Sequence, residues 1–109
     1  MKPQRGEIWW VAFNPSVGSE TQKVRPAVVI SNNQSNKHLD RFQVVPLTTT
    51  TDRLYRGEAL VAVKEKSGKA MCNQLTTSSI KRFKKKLAIL STSEMKEVEQ
   101  AVRVQLGLL

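Results

Sequence analysis

The sequence predicts a mainly β domain with a smaller α component (α+β): a small antiparallel barrel packed by one C-terminal helix. Two observations predict it. As far as residue 90, short runs of apolar and β-branched residues recur at close spacing between turn-forming residues, as in small antiparallel sheets. The remaining stretch, residues 91–109, instead repeats apolar residues at helical intervals. A chain of 109 residues suits one domain, so we assign residues 1–109 to a single unit.

Three strands are predicted in the first half of the chain, over residues 6–13, 24–31 and 41–48. The first, GEIWWVAF, is apolar on both faces of a period-2 pattern, which predicts a buried strand. In the second, VRPAVVIS, Pro26 cannot donate a backbone hydrogen bond and therefore belongs near the strand start or on an edge. Polar, turn-rich loops join these strands, over residues 14–23 and 32–40.

Shorter segments make up the second half. Strands are predicted over residues 58–63, 70–75 and 87–90, joined by a charged turn at 64–69 and a short helix or turn at 78–86. Ser91 and Glu94 have the spacing of a capping box, which predicts a helix over 91–109. The residues that recur at three- and four-residue steps and form its apolar face are Met95, Val98, Val102 and Leu106.

Charge is the most informative bulk property. Eighteen Lys and Arg residues against nine Asp and Glu give a net charge of +9 and a pI ≈ 10.1. Such a domain attracts polyanions, because its cations displace the counterions condensed on a phosphate backbone. A nucleic acid or an acidic protein partner is therefore expected.

The cysteine count and the apolar runs bear on location. Cys72 is the single cysteine, which rules out an intrachain disulfide and favours a reducing, cytoplasmic setting. The N-terminal residues lack a secretory pattern, and no apolar run approaches the roughly 20 residues of a membrane span. No membrane association is expected.

The reactive side chains exclude several kinds of enzyme. The chain has one His, one Cys and no acidic cluster at metal-ligand spacing, so neither a metal nor a cofactor is expected. Its glycines do not group into a phosphate or dinucleotide loop. His38 lies in a polar turn, where a surface role is expected. Any catalysis would have to work without a metal and without histidine.

Arg25 and Thr48 are the candidate site residues. Each lies at one end of a predicted strand beside a polar loop, where a rigid sheet can hold a side chain in place. Arginine suits a phosphodiester, because its guanidinium is planar, permanently charged and able to donate two parallel hydrogen bonds. Thr48 offers a hydroxyl to the same phosphate. Taken singly, each also suits an ordinary role, a solvent-facing arginine or a turn threonine.

Four segments together resemble one protein family. RGEIWWVAFNP, VGSETQKVRPAVVISNN, VVPLT and CNQL follow one another at suitable spacing. In this the chain is similar to the MazF/PemK family of toxin endoribonucleases, from Arg5 to the final helix. The resemblance implies an SH3-like barrel of the CcdB/PemK type, a homodimer, and metal-independent, sequence-specific cleavage of single-stranded RNA. It also implies neutralisation by an acidic antitoxin protein lying along a basic groove.

The resemblance also assigns roles to residues. Those that match the family's functional positions are Arg25 and Thr48 as catalytic residues, Glu20 as a loop glutamate and Gln74 as a glutamine that holds RNA. Loop neighbours expected to contact RNA or support the site are Ser19, Thr49 and Arg53. Two positions depart from the pattern: Asn73 stands where some branches have an acidic general base, and Met71 where they have an arginine. The acid–base roles of those branches therefore do not carry over.

A mechanism follows from these residues as an expectation. The ribose 2′-hydroxyl attacks the phosphorus, Arg25 and Thr48 stabilise the growing charge, and the products carry a 2′,3′-cyclic phosphate and a 5′-hydroxyl. The general acid and base stay unassigned. The arginine guanidinium stays protonated at neutral pH and therefore cannot readily accept a proton, and Glu20 is a mild base.

Two further segments have both a binding and a packing interpretation. KRFKKK, residues 81–86, places five cations around one aromatic ring. We expect its lysines to attract the RNA backbone and Phe83 to lie in the core. Trp9 and Trp10 could stack on bases, but their position in a buried strand favours core packing.

Two other functions stay open at this point. A CcdB-like toxin of related fold binds DNA gyrase and cleaves nothing, and it would not need Arg25 and Thr48 as a pair. A catalytically inactive member that only binds RNA is the other, suggested by Asn73.

Overall fold

The computed structural model describes residues 2–108, which form seven strands, two α-helices and two 3₁₀ turns. The strands are β1 Glu7–Ala12, β2 Val24–Val29, β3 Arg41–Thr48, β4 Glu58–Val63, β5 Lys66–Met71, β6 Thr76–Ser79 and β7 Phe83–Ile89. The helices are α1 Asn33–His38 and α2 Thr92–Leu106. The 3₁₀ turns are Cys72–Gln74 and Ile80–Arg82.

The strands form one curled antiparallel sheet in the order β4-β5-β3-β2-β1-β7, with β6 also paired to β3. Strand β3 is the centre of this sheet. Its first half, Arg41–Val44, pairs with β6, its middle with β2, and its last two residues with β5. Because one long strand serves three partners, the sheet bends around it. The predicted mainly β fold, a small antiparallel barrel with a C-terminal helix, is confirmed.

Side chains alternate between two apolar clusters on opposite faces of this sheet, as strand periodicity requires. The larger cluster packs against α2 and β4, and its fully buried members include Ile8, Val28, Val45 and Val98. The smaller cluster comprises Val11, Ala27, Val29, Phe42 and Val44. Phe83 covers the smaller cluster, with its ring centroid 5.1 Å from that of Phe42. Phe83 is therefore a core residue, as expected, and so is Trp9, which packs edge-on against it.

Helix α2 starts at the predicted capping box. The Ser91 hydroxyl oxygen accepts from Glu94 N, and Glu94 Oε1 accepts from Ser91 N. Met95 and Val98 are buried as predicted, whereas Leu106 is 54% exposed, so the apolar face ends before the last turn. Glu94 Oε2 also accepts from Ala62 N at 2.6 Å, which ties the helix start to β4.

The predicted turn at 64–69 and the predicted strand at 70–75 are wrong. The turn is only Lys64–Glu65, with φ values of 49° and 70°, so β4 and β5 form a tight two-residue hairpin. Such turns normally use Asn or Gly at both positive φ positions, which is why the sequence did not show it. Strand β5 therefore begins at Lys66, and Cys72–Gln74 forms a 3₁₀ turn.

Two other segments also differ from the prediction. Residues 78–86 contain the predicted short helix or turn as the 3₁₀ turn Ile80–Arg82, but they also hold the end of β6 and the start of β7, so the last strand begins four residues before residue 87. Its lysines obscured the strand pattern, because charged residues mark an edge strand. The polar loop at 32–40 contains helix α1, whose first turn Asn32 caps by accepting from Ser35 N.

Candidate active site

Strand pairing places the two candidate catalytic residues at the same end of β2 and β3. In the β2–β3 pair, Ala27 lies opposite Pro46, and the paired residues end there. Arg25 lies two residues before Ala27 on β2, and Thr48 lies two residues after Pro46 on β3. Both residues therefore lie at the same end of this strand pair.

Arg25 and Thr48 also line the same groove, which consists of two adjoining hollows. The first, of about 350 Å³, is polar and is lined by Ser19, Glu20, Thr21, Gln22, Lys23, Arg25, Thr48, Met71 and Gln74. The second, of about 340 Å³, is more apolar and includes Trp10, Arg25, Pro26, Thr48, Thr49, Lys64, Lys66 and Leu87. Both hollows contain both candidate residues. An anion seated between the hollows would meet a guanidinium and a hydroxyl together.

The Arg25 side chain is exposed and anchored at one point. Its Nε donates to Gln22 O at 3.1 Å. Within residues 2–108 no hydrogen bond engages its two terminal nitrogens, so they stay available for a phosphate.

Thr48 is half-buried at the end of β3, and its hydroxyl is partly committed. Thr48 Oγ1 accepts from Thr50 N at 3.3 Å, which leaves its proton free to be donated. Strand β5 approaches closely here, because a Cβ on Gly68 would lie 2.9 Å from Thr48 O. A glycine at position 68 therefore allows β5 to support the Thr48 backbone.

A loop at residues 13–23 forms one wall of the groove, and Gln74 holds it. Thr21 N donates to Gln74 Oε1 at 3.0 Å, and Gln74 Nε2 donates to Ser19 O at 3.2 Å. Glu20 faces its own loop, because Glu20 Oε1 accepts from Val17 N at 2.8 Å. Both polar atoms of the Gln74 amide are thus engaged by the loop, where the sequence led us to expect contact with RNA.

The structure brings most of the predicted site residues to the groove. Those that line it with Arg25 and Thr48 are Ser19, Glu20, Thr49 and Gln74. Arg53 lies outside both hollows, in a second loop at residues 49–57, where its Nη1 donates to the Tyr55 hydroxyl at 3.3 Å. Glu20 is the single carboxylate among the described residues that line the groove.

Sequence reasoning missed three lysines that line the groove, Lys23, Lys64 and Lys66. It also missed a buried ion pair beside the groove. Lys69, which pairs with Thr48 across β3 and β5, has its ammonium 2.9 Å from Glu58 Oε1. Lys64, Lys66 and Lys69 all lie in the run KEKSGK, and their positions would have been evident only if β5 had been predicted to start at Lys66.

The two departures from the family pattern line different hollows. Met71 lines the polar hollow, whereas Asn73 lines a cleft of about 310 Å³ that contains Arg82 and adjoins the polar hollow through shared lining residues such as Gln74. Position 73 thus contributes no side chain to the groove that holds Arg25.

Two other kinds of chemistry find no support in the described part of the chain. Residues 2–108 include no group of three or more His, Cys, Asp and Glu that could hold a metal ion. Burial, helped by the nearby Glu58 charge, raises the pKa of the Cys72 thiol to about 12. Cys72 therefore stays a thiol at neutral pH and is a poor nucleophile.

No helix formed by the described residues is long and apolar enough to cross a membrane.

Comparison with known proteins gives consistent matches. The family profile described as "PemK-like, MazF-like toxin of type II toxin-antitoxin system" matches residues 4–106. Endoribonuclease MazF9 of Mycobacterium tuberculosis is 30% identical over 114 aligned positions, covering 96% of this chain and 97% of that protein.

Solved structures agree on the fold. The crystal structure of MazF from Deinococcus radiodurans superposes with a TM-score of 0.86 at 24% identity, covering 99% of each chain. A mycobacterial endoribonuclease in complex with its cognate antitoxin gives a TM-score of 0.82 at 21% identity, covering 98% of this chain and 97% of that one. At these identities the likeness establishes the architecture.

Proposed function

This chain belongs to the family of PemK-like, MazF-like toxins of type II toxin–antitoxin systems, and from that premise we propose that it is an endoribonuclease. Its substrate is single-stranded RNA, cut at a short sequence. One observation carries the proposal: Arg25 and Thr48 share the lining of one groove that is also rich in lysine. The similarity to a mycobacterial endoribonuclease over nearly the whole chain supports it.

The chemistry uses a nucleophile that RNA itself carries. The 2′-oxygen bonds to phosphorus while the bond from phosphorus to the 5′-oxygen breaks. The 2′-proton leaves to a base and the 5′-oxygen gains a proton. The products are a 2′,3′-cyclic phosphate and a 5′-hydroxyl. Donors placed in advance at the developing charge supply most of the acceleration in such reactions.

Arg25, Thr48 and three lysines of the groove have roles in this scheme. The free terminal nitrogens of Arg25 hold two non-bridging oxygens, and the Thr48 hydroxyl donates to one of them. Lys23, Lys64 and Lys66 attract the flanking phosphates. Because no metal is needed at any step, activity should persist in EDTA.

The partners follow from family and charge. As a type II toxin the protein is paired with an antitoxin, and a net charge of +9 favours an acidic one. We infer that an acidic antitoxin segment competes with RNA for the groove. We also infer a homodimer and a cytoplasmic location, where RNA substrates are found.

The test is cleavage of total RNA in EDTA by purified protein, followed by mapping of the chemical ends. Arg25→Ala should lower the rate about 10²–10³-fold, the usual effect of losing one such donor. Thr48→Ala should lower it comparably, whereas Thr48→Ser, which keeps the hydroxyl, should retain most of it. RNA with 2′-deoxyribose at the cut site should stay intact.

Three outcomes would contradict the proposal. Activity that disappears on chelation would point to a metal-dependent nuclease. RNA left intact by the wild type, together with inhibited gyrase supercoiling, would point to a CcdB-like gyrase-binding toxin. Intact RNA that is nevertheless tightly bound would indicate an inactive RNA-binding member.

A further inference from the structure

Tyr55 is an exposed aromatic residue that the proposed reaction does not use. It lies in the loop at residues 49–57, and 55% of it is exposed. We propose that its ring is a stacking platform for a nucleobase of the single-stranded RNA. This inference rests on the proposed function, because it describes how the same substrate is held beside the scissile phosphate.

The ring lies over a buried cation. Lys69 Nζ is 5.3 Å from the Tyr55 ring centroid, and Lys69 itself is only 5% exposed. The ring therefore lies against the ammonium with one face, and more than half of Tyr55 remains exposed. A cation under an aromatic ring stabilises it in this orientation. The exposed part of the ring is the surface on which a base can stack.

A second cation lies over the ring. The Arg53 guanidinium carbon is 5.4 Å from the ring centroid, and Arg53 Nη1 donates to the Tyr55 hydroxyl. An aromatic ring next to an arginine suits a nucleotide, because the base can stack on these planar groups while the phosphate pairs with the cation. This gives Arg53 a role in RNA contact that does not require a place in the groove.

The platform is also held at its backbone. Tyr55 N donates to Glu58 Oε1 at 2.9 Å, and Lys69 Nζ donates to Arg53 O at 2.7 Å. The same ion pair, Lys69 with Glu58, thus fixes the loop on both sides of Leu54. A surface ordered before binding loses less conformational entropy when a base stacks on it.

The location suits a nucleotide close to the cut. Lys69 pairs with Thr48 across β3 and β5, and Thr48 lines the same groove as Arg25. The Tyr55 ring lies over Lys69. Neighbouring strands are about 4.8 Å apart, so the platform lies about one strand away from Thr48.

The test is binding of a short, fluorescein-labelled, random-sequence RNA that is 2′-O-methylated at every ribose, so that it has no nucleophile. Fluorescence anisotropy gives the dissociation constant. Tyr55→Ala should weaken binding about tenfold, within the range for loss of one stacked base. Tyr55→Phe keeps the ring and should stay within about threefold of the wild type. Leu54→Ala, at a neighbouring residue that is 51% exposed, is the matched control and should not change binding.

A second oligomer separates stacking from charge. A backbone of the same length in which every nucleotide lacks its base should bind wild type and Tyr55→Ala equally. In cleavage assays of natural RNA, Tyr55→Ala should raise KM and leave kcat nearly unchanged.

Three results would overturn the inference. Tyr55→Ala could bind the base-bearing oligomer as tightly as the wild type. It could lose affinity equally for the oligomer without bases, which would indicate a disturbed cationic surface. It could weaken binding of an acidic antitoxin peptide alone, which would assign the ring to the partner protein. If the wild type cleaves no RNA, the proposed function fails, while the anisotropy comparison still decides whether Tyr55 stacks on a base.

Discussion

Two loops border the groove, and they are held by different physical means. The loop at residues 13–23 is tied to the Cys72–Gln74 turn by two neutral hydrogen bonds from one amide side chain, Gln74. The loop at residues 49–57 is held by the buried pair of Lys69 and Glu58. A hydrogen bond between neutral groups contributes about 0.5–1.5 kcal/mol net to the free energy of unfolding. Removing one partner of a buried ion pair lowers that free energy by about 3–5 kcal/mol. The first loop can open locally, whereas the second is tied to a buried ion pair of the folded domain.

The largest expected effect comes from removing the buried cation. Lys69→Met leaves Glu58 as a buried, unpaired carboxylate and should lower the free energy of unfolding by about 3–5 kcal/mol in urea titrations. Lys66→Met, an exposed lysine on the same strand, is the control and should change it by less than about 0.5 kcal/mol. A double variant with Glu58→Leu should recover part of the loss. Equal small losses for Lys69 and Lys66 would remove the distinction between the two loops.

A smaller effect is expected where β5 touches the Thr48 backbone. Gly68→Ala places a Cβ 2.9 Å from Thr48 O, and such overpacking typically costs about 1–3 kcal/mol. Because the strands must separate there, RNA cleavage should fall as well. Ser67→Ala, at the exposed neighbouring position, should leave both stability and cleavage near wild type. Cleavage that is unchanged in a stably folded Gly68→Ala protein would contradict the role of this contact.

The two hydrogen bonds from Gln74 should affect the loop at residues 13–23 more than the stability of the whole domain. Gln74→Ala removes both hydrogen bonds to the loop and should lower the free energy of unfolding by about 1–2 kcal/mol at most. Amide exchange should speed up selectively at Thr21, whose N–H donates to Gln74. Asn73→Ala, at the exposed position beside it, is the control. If Thr21 exchange stays slow in Gln74→Ala, the amide does not hold the loop.

The smallest expected effect concerns Glu94, a partly buried carboxylate that lies near the opposite end of β4 from Glu58. Burial alone would raise the pKa of Glu94, but donation from Ala62 N and from Ser91 outweighs it and lowers the pKa. The charged form is thus favoured in the folded state. Its contribution is present above the ordinary carboxylate pKa and is lost as pH falls through the lowered folded value.

The variant Glu94→Gln keeps the capping-box geometry but not the charge. At pH 7 it should be less stable than the wild type by under about 1 kcal/mol, and the difference should vanish in acid. Glu97→Gln, on the exposed side of the same helix, is the control at pH 7 and should be about as stable as the wild type. A gap between Glu94→Gln and the wild type that widens in acid would contradict the assignment.

Strands with clean patterns were predictable. The bounds of β3 and β4 matched the prediction, because apolar residues alternate or run continuously there between turn signals. The capping box likewise located α2. Arg25 and Thr48 line one groove, which agrees with the prediction that each lies at a strand end.

What could not be predicted depended on pairing between distant residues. The turn at Lys64–Glu65 uses positive φ without glycine or asparagine, so β5 was placed four residues too late. A lysine in a charged run indicates a solvated surface until the β4–β5 register is known to bring Glu58 beside Lys69. The engagement of Gln74 by a loop more than fifty residues away was equally invisible in the sequence.

The lone sulfhydryl has a practical consequence. Cys72 is 1% exposed, with a pKa of about 12, so an alkylating reagent can reach it only in molecules whose interior has opened. The rate of its modification at fixed pH therefore measures how often the whole β4–α2 junction comes apart, in unlabelled wild-type protein and without denaturant.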